Sequence, residues 1–205
     1  MRTRSNLLNS TIELVAEGSL ESFTTKRLAQ KAQMAEGNLY NYFKNKDELL
    51  EEAFVYIDKD IAELFEGYAG QAEEIFKDIP AGIEMMWRAY YKYLVSNPQK
   101  ALYYFNFRNS PRYSEAVRKR QFDYFTDFVA VMRGIDEKYS LFENFPWEVT
   151  WIFVLDMTTT FACRVARGDL PDNAETEDQI FMVMSVFGMM FSVHIDLIRC
   201  SLLSK

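Results

Sequence analysis

The run Thr24-Thr25-Lys26-Arg27-Leu28-Ala29-Gln30-Lys31-Ala32-Gln33-Met34-Ala35-Glu36-Gly37-Asn38-Leu39-Tyr40-Asn41-Tyr42-Phe43 decides the fold. Thr24 can cap a short helix over 25–33 through its hydroxyl, and Leu28, Ala29 and Ala32 give that helix an apolar face. A tight turn follows at Gln33-Met34-Ala35, then a second short helix over 36–42. This second helix is too small and too polar to be present for core volume. It turns Leu39 and Phe43 inward at i, i+4 spacing and leaves Gly37, Asn38, Asn41 and Tyr42 facing out. Two such helices in tandem make a helix-turn-helix, in which one helix braces across phosphates while the next enters the major groove. Asn38 and Asn41 carry amides suited to base edges or phosphates. Tyr40, Tyr42, Lys44 and Lys46 can donate to phosphate oxygens, and Gly37 lets the backbone come close.

On the N-terminal side a helix runs over 6–17 with Leu8, Ile12, Val15 and Ala16 on one face, stopping near Gly18. On the C-terminal side Asn45-Lys46-Asp47-Glu48 reads as a helix start, with Asn45 as N-cap and Glu48 completing a variant capping box. The stripe Leu49, Leu50, Ala53, Phe54, Ile57, Ile61, Leu64 and Phe65 makes that helix a connector about 30 Å long, ending at Gly67 or Gly70. Further helices are expected over 80–96, 98–108, 111–133 (Pro111 at N1), 146–167 and 177–203, the last opened by the capping box Thr176-Glu177-Asp178-Gln179. No segment alternates long enough to demand a strand. The expected fold is all-α, with about nine helices: a three-helix reading domain over 1–46 and a helical ligand-binding and dimerisation domain over 47–205.

Composition agrees. Of 205 residues 49% are apolar, with only 8 Gly and 5 Pro, which excludes a disordered or fibrous chain. The longest uncharged apolar stretch, 180–193, is too short to span a bilayer, and Met1-Arg2-Thr3-Arg4-Ser5 leads into amphipathic sequence, so neither a membrane span nor a secretory leader is expected. Cytoplasmic residence follows as an expectation, and Cys163 and Cys200 fit buried thiols in a reducing compartment. The net charge of −7 hides an asymmetry: residues 1–46 hold seven Lys/Arg against four acids, net +3, leaving −10 on the other 159. A basic head on an acidic body is the sequence form of a local phosphate-facing surface.

Thr25-Lys26-Arg27-Leu28-Ala29, Ala32, and the run Gly37-Asn38-Leu39-Tyr40-Asn41-Tyr42-Phe43-Lys44-Asn45-Lys46-Asp47-Glu48-Leu49-Leu50 resemble the N-terminal module of the TetR family of bacterial transcriptional regulators. The likeness covers residues 5–52. It implies a homodimer on a palindromic DNA operator that lets go, or changes grip, when a small molecule enters the C-terminal domain; repression is the default expectation, since a dimer on a promoter most simply blocks polymerase. It also implies DNA contacts by Thr25, Lys26, Gly37, Asn38, Tyr40, Asn41, Tyr42 and Lys46, and likens Arg2 and Arg4 to a basic minor-groove arm. Two positions depart from the pattern. Ala35 offers no capping oxygen. Glu36 either accepts from a cytosine amino group or favours the helix dipole, and both readings stand open.

In the body, the helices over 146–167 and 177–203 are apolar on nearly all sides, so a second cover is needed, and a two-fold partner supplies it as a four-helix interface. Ser185, Gly188 and Ser192 permit close approach. The two-fold would set the recognition helices about 34 Å apart, one turn of DNA. Thirteen aromatic residues between 85 and 128 exceed one packing layer and suggest a lipophilic pocket, for which Trp87, Tyr91, Tyr104, Phe107, Phe125 and Phe128 are the candidate wall. Asp156, a lone acid among apolar neighbours, is either a counter-ion for a cationic ligand or the structural partner of Arg108, Arg133 or Arg164. The lone His194 cannot build a triad or a metal site, and no phosphate-cradling loop or nucleophile elbow is present, so neither catalytic, metal nor cofactor chemistry is expected. The competing classes are a helical small-molecule-binding protein and a protein-interaction module without specific DNA binding.

Overall fold

The computed structural model describes residues 4–71, 77–139 and 147–185, and among these no residue is in a strand. The head begins with α1 (Arg4–Glu17), which buries Leu7, Leu8, Ile12, Leu14 and Val15 on one face. The second helix, α2 (Thr25–Lys31), is capped as expected, Thr24 Oγ1 accepting from the Arg27 amide at 3.2 Å. It closes in a Schellman motif. The Gln33 amide donates to the Gln30 carbonyl at 3.0 Å and the Met34 amide to the Ala29 carbonyl at 2.9 Å. The residue between helix and turn is therefore left-handed, and it is Gln33, at φ 49°, rather than a glycine. Next comes η1 (Glu36–Asn41), a 3₁₀ helix with no side-chain cap at Ala35, whose Leu39 is buried.

The connector α3 (Lys46–Ala69) starts at the expected cap, Asn45 Oδ1 accepting from the Glu48 amide at 2.8 Å, and ends at Gly70. The Glu48 carboxylate returns one residue further, to the amide of Lys44 just before the cap, in place of the cap's own amide. The body follows with α4 (Ile79–Ser96), α5 (Pro98–Arg108), α6 (Glu115–Tyr124), α7 (Thr126–Tyr139), α8 (Trp147–Ala166) and α9, helical over 174–185. Against the core of the body, α3 packs on α4, α5, α6 and α7, while α8 packs on α4 and α5. The head is joined twice, because α1 packs on α5 as well as on α3. A single apolar cluster therefore runs from Leu7 to Met184.

Two expected helix boundaries are corrected. The helix expected over 111–133 from Pro111 is two helices. Residues 111–113 form a turn, the Tyr113 amide donating to the Ser110 carbonyl at 3.1 Å, because the Tyr113 ring packs edge-on against Phe54 at 5.6 Å. Ser114 then caps α6. The ladder breaks again at Phe125, whose amide turns to the Phe122 carbonyl at 3.1 Å while its ring is buried near Phe65. The last helix starts at 174 rather than at Thr176. Asn173 Oδ1 takes the Thr176 amide at 2.9 Å, so Asn173 is the cap and Thr176 lies buried in the first turn. Gly188, Ser192, His194 and Cys200 lie outside the described residues, as does Arg2.

Candidate nucleic-acid interface

The head holds η1 by its inward residues and leaves the rest in solvent. Leu39 and Phe43 are buried, whereas Gly37, Asn38, Tyr40 and Asn41 are exposed, Tyr40 at 52%. A Cβ built on Gly37 would meet nothing within 4 Å, so nothing inside the described protein requires glycine there. Tyr42 is half-buried, its ring tilted against Phe43 and its carbonyl accepting from Arg4 Nη1 at 2.9 Å. Arg4 is the first residue of α1. Its guanidinium lies 4.7 Å from the Phe43 ring centre and pairs with Glu52 at 3.3 Å, so the likeness to a basic arm does not hold for it.

Lysines divide into engaged and open ones. Lys31 is held by Glu13 at 2.8 Å and Glu17 at 3.5 Å, and the Glu13 carboxylate raises its pKa. Lys46 is half-buried and donates to the Phe23 carbonyl at 2.5 Å, which occupies one of its three N–H donors and leaves the others for a phosphate oxygen. Lys26 and Arg27 are exposed, and no ion pair among the described residues engages either. The half-buried Thr25 donates its hydroxyl to Glu36 Oε1 at 2.5 Å. A hydroxyl has one proton, so that bond occupies Thr25 as a donor.

In the body, the six candidate pocket residues are buried but do not form one wall. Among the described residues they fall into three ring clusters. Tyr104 and Phe107 stack on Phe54 at 5.1 and 4.5 Å. Phe125 and Phe128 surround Phe65 at 6.2 and 4.6 Å. Trp87 stacks on Tyr91 at 5.3 Å, lies 5.2 Å from Phe181, and donates Nε1 to Thr158 Oγ1 at 3.0 Å. The reason is helix geometry: rings three or four residues apart share one face of their helix, and each such face meets a different partner.

Of the partners open to Asp156 the structure uses Arg108, whose Nε donates to Asp156 Oδ1 at 2.7 Å, while Arg164 pairs with Asp169 at 3.0 Å. Arg108 also donates Nη1 to Tyr113 Oη and Gln121 Oε1, both at 2.9 Å. Asp156 stays partly in solvent, its side chain 45% exposed. The buried acid is another residue, Asp58 on α3, at 1% exposure. Its Oδ1 accepts from Tyr104 Oη at 2.9 Å and Gln121 Nε2 at 2.7 Å, and its Oδ2 is buried without a hydrogen-bond partner among the described residues. Burial pushes the Asp58 carboxyl up to about 7, against the pull of the Gln121 and Tyr104 hydrogen bonds and the Arg108 charge. Sequence reasoning missed Asp58, although its position, four residues after Phe54 and three before Ile61, lies on the apolar stripe. Burial also pushes the Cys163 thiol up to about 11, as an inert core thiol requires.

Residues 7–53, which contain α2, η1 and most of α1, match the bacterial regulatory proteins, tetR family. A relative in Haemophilus influenzae, an uncharacterized HTH-type transcriptional regulator, is 32% identical over 95 residues, which are 45% of this chain and 47% of the relative. The chain thus spans about half the length of the curated relative that it matches. Among solved structures, a TetR family transcription regulator from Marinobacter aquaeolei is similar at TM-score 0.73 and 17% identity, over 87% of this chain and 91% of that one. A second, from Shewanella, is similar at TM-score 0.73 and 19% identity, over 89% and 96%. The transcriptional regulator FadR from Bacillus subtilis, solved in complex with stearoyl-CoA, is similar at TM-score 0.60 and 16% identity, over 89% and 98%. The N-terminal segment over 7–53 thus matches the tetR family model, and the fold of most of the chain is that of solved TetR family regulators.

Proposed function

We propose that the chain is a ligand-responsive transcriptional regulator, acting by default as a repressor, that binds a palindromic operator as a homodimer. Residues 1–46 are the reading head and 47–205 the ligand-binding and dimerisation body. The observation that carries this is the exposure of Gly37, Asn38, Tyr40 and Asn41 as one polar surface on η1, anchored by the buried Leu39 and Phe43 and flanked by the open cations Lys26 and Arg27. Asn38 and Asn41 are placed to read base edges. Lys26, Tyr40 and Tyr42 reach phosphate, and Lys46 joins them through the N–H donors that the Phe23 carbonyl leaves unused. No catalytic role is assigned.

Dimerisation through α8 and α9 is supported by Ile152, Met182 and Val183, which are apolar yet 42%, 59% and 39% exposed in the single chain. A small lipophilic effector enters between the ring clusters of the body. The stearoyl-CoA complex of the Bacillus subtilis neighbour supports that class of ligand for this fold. Any effector that parts α5 or α6 from α3 must strain the Asp58–Tyr104–Gln121 hydrogen bonds and so tilt the helix that begins at the head. Population then shifts toward a form whose two heads no longer match one DNA turn.

A gel shift on the DNA upstream of the gene, at two salt concentrations, tests the reading. Specific retention that falls steeply with salt supports it. Absence of specific retention at low salt would instead favour an interaction module, the reading that the net charge of −7 recommends.

A further inference from the structure

We infer that Glu36, held by Thr25, is a base-reading residue that selects cytosine at one position of each operator half-site. The inference rests on the regulator reading above and deepens it. A carboxylate on a DNA-facing surface is repelled by phosphates, so it needs a partner there or a structural task at home. Among the described residues the structure gives Glu36 no cation, and its side chain accepts from the neutral Thr25 hydroxyl.

The structural task left open for it, to compensate the start of the recognition helix, is not what the geometry shows. Residue 35 provides no side-chain cap, and the Glu36 carboxylate is drawn away from η1 toward the first residue of α2. A 3₁₀ helix of 6 residues also has little dipole to satisfy. The Thr25–Glu36 bond instead spans the two helices of the motif, at the edge where the bracing helix crosses the backbone and η1 enters the groove. It fixes Oε1 and leaves Oε2 available to accept.

The groove chemistry then selects the base. A carboxylate only accepts. Guanine presents N7 and O6, and thymine O4, all acceptors that oppose it. Adenine offers its N6 amino group beside the acceptor N7, whereas cytosine offers the N4 amino group without that neighbour. The next residue is Gly37, where a Cβ would meet nothing within 4 Å, so the backbone beside Glu36 is bare and can approach the base edge. Thr25 changes role in the same step. Its proton is committed to Glu36, which makes it the residue that positions the reader rather than a donor to phosphate.

The test is a selection from duplexes with randomised half-sites, using the full-length protein and the variants Glu36→Gln, Glu36→Ala and Thr25→Val. Affinities for the enriched duplexes are then measured at one fixed ionic strength. Glu36 is exposed and Thr25 only half-buried, so matched thermal melts should show that the variants fold. The expected wild-type result is a palindrome with cytosine at one mirrored position, where any other base costs roughly tenfold or more in affinity. Glu36→Gln should move that preference toward adenine, Glu36→Ala should abolish it, and Thr25→Val should weaken it while other positions keep theirs. If wild type and Glu36→Gln enrich the same base at every position, Glu36 reads nothing and the inference falls while the regulator reading stands. If Thr25→Val lowers affinity for all duplexes equally, Thr25 is a phosphate donor and its positioning role is wrong. If wild type enriches no palindrome at all, the regulator reading falls, and the role of Glu36 with it.

Discussion

Replacing Asp58 by Asn should stabilise the protein at pH 8 and remove most of its pH dependence between 5 and 7. Asp58 is 1% exposed, with both donors on Oδ1 and, among the described residues, none on Oδ2, and burial pushes its carboxyl up to about 7 from the ordinary 3.8. Each pH unit between those values is about 1.4 kcal/mol, so ionised Asp58 destabilises the fold by on the order of 4 kcal/mol relative to its neutral form. The sign follows from which state releases its proton first. As pH rises above about 4 the unfolded chain ionises while the folded chain holds its proton, so stability falls until about 7 and is flat in this respect above it. Asparagine has the shape of the neutral acid, keeps an acceptor at the Oδ1 position and never ionises. Its orphan amide replaces the orphan hydroxyl of neutral Asp58, and the two costs largely cancel. A gain of about 2–4 kcal/mol at pH 8 and little change at pH 4 is expected. Urea unfolding followed by circular dichroism at fixed protein concentration and ionic strength, at pH 5, 6, 7 and 8, measures it. Wild-type and variant stabilities that run parallel across that range would refute the placement of Asp58 as a desolvated, titrating carboxyl.

Three further outcomes are expected. Gln33→Gly should raise stability by about 0.5–1 kcal/mol, because the left-handed position of the Schellman motif suits glycine; an unchanged or lowered urea midpoint would deny that conformation. Leu39→Ala, at a side chain 2% exposed, should cost about 2–5 kcal/mol and weaken binding to all DNA sequences in common; a melt within error of wild type would place Leu39 outside the core. Met182→Asp should convert the proposed dimer to monomer in sedimentation velocity while leaving helical content intact, since Met182 is 59% exposed in the single chain; a dimer that persists would move the interface elsewhere.

How much was legible depended on how local the cause was. The caps Thr24 and Asn45 could be read because a cap bonds to an amide three residues away, whereas the stop was legible only as Gly67 or Gly70. The inward pair Leu39 and Phe43 followed from i, i+4 spacing. The helix expected from Pro111 was wrong because local preference for proline at N1 yields to the Tyr113 ring against Phe54, a contact across 59 residues. Asn173 displaced Thr176 as a cap because both residue types can cap, and only the burial of Thr176 decides between them. Asp58 was visible as a position but not as a buried one, since an acid on a stripe can equally lie at its solvent edge.

The alternation of caps, breakers and apolar residues at intervals of three and four was enough to specify an all-helical chain with a polar second helix presented at its N-terminal end. Those signals act within one turn of helix, where the backbone's own hydrogen bonds set the geometry. The pairing of Arg108 with Asp156, the commitment of Thr25 to Glu36, the division of the aromatic residues into three clusters and the burial of Asp58 were decided only when the helices met. Each depends on the crossing of elements far apart in the chain, where several partners of equal chemistry compete and packing selects one.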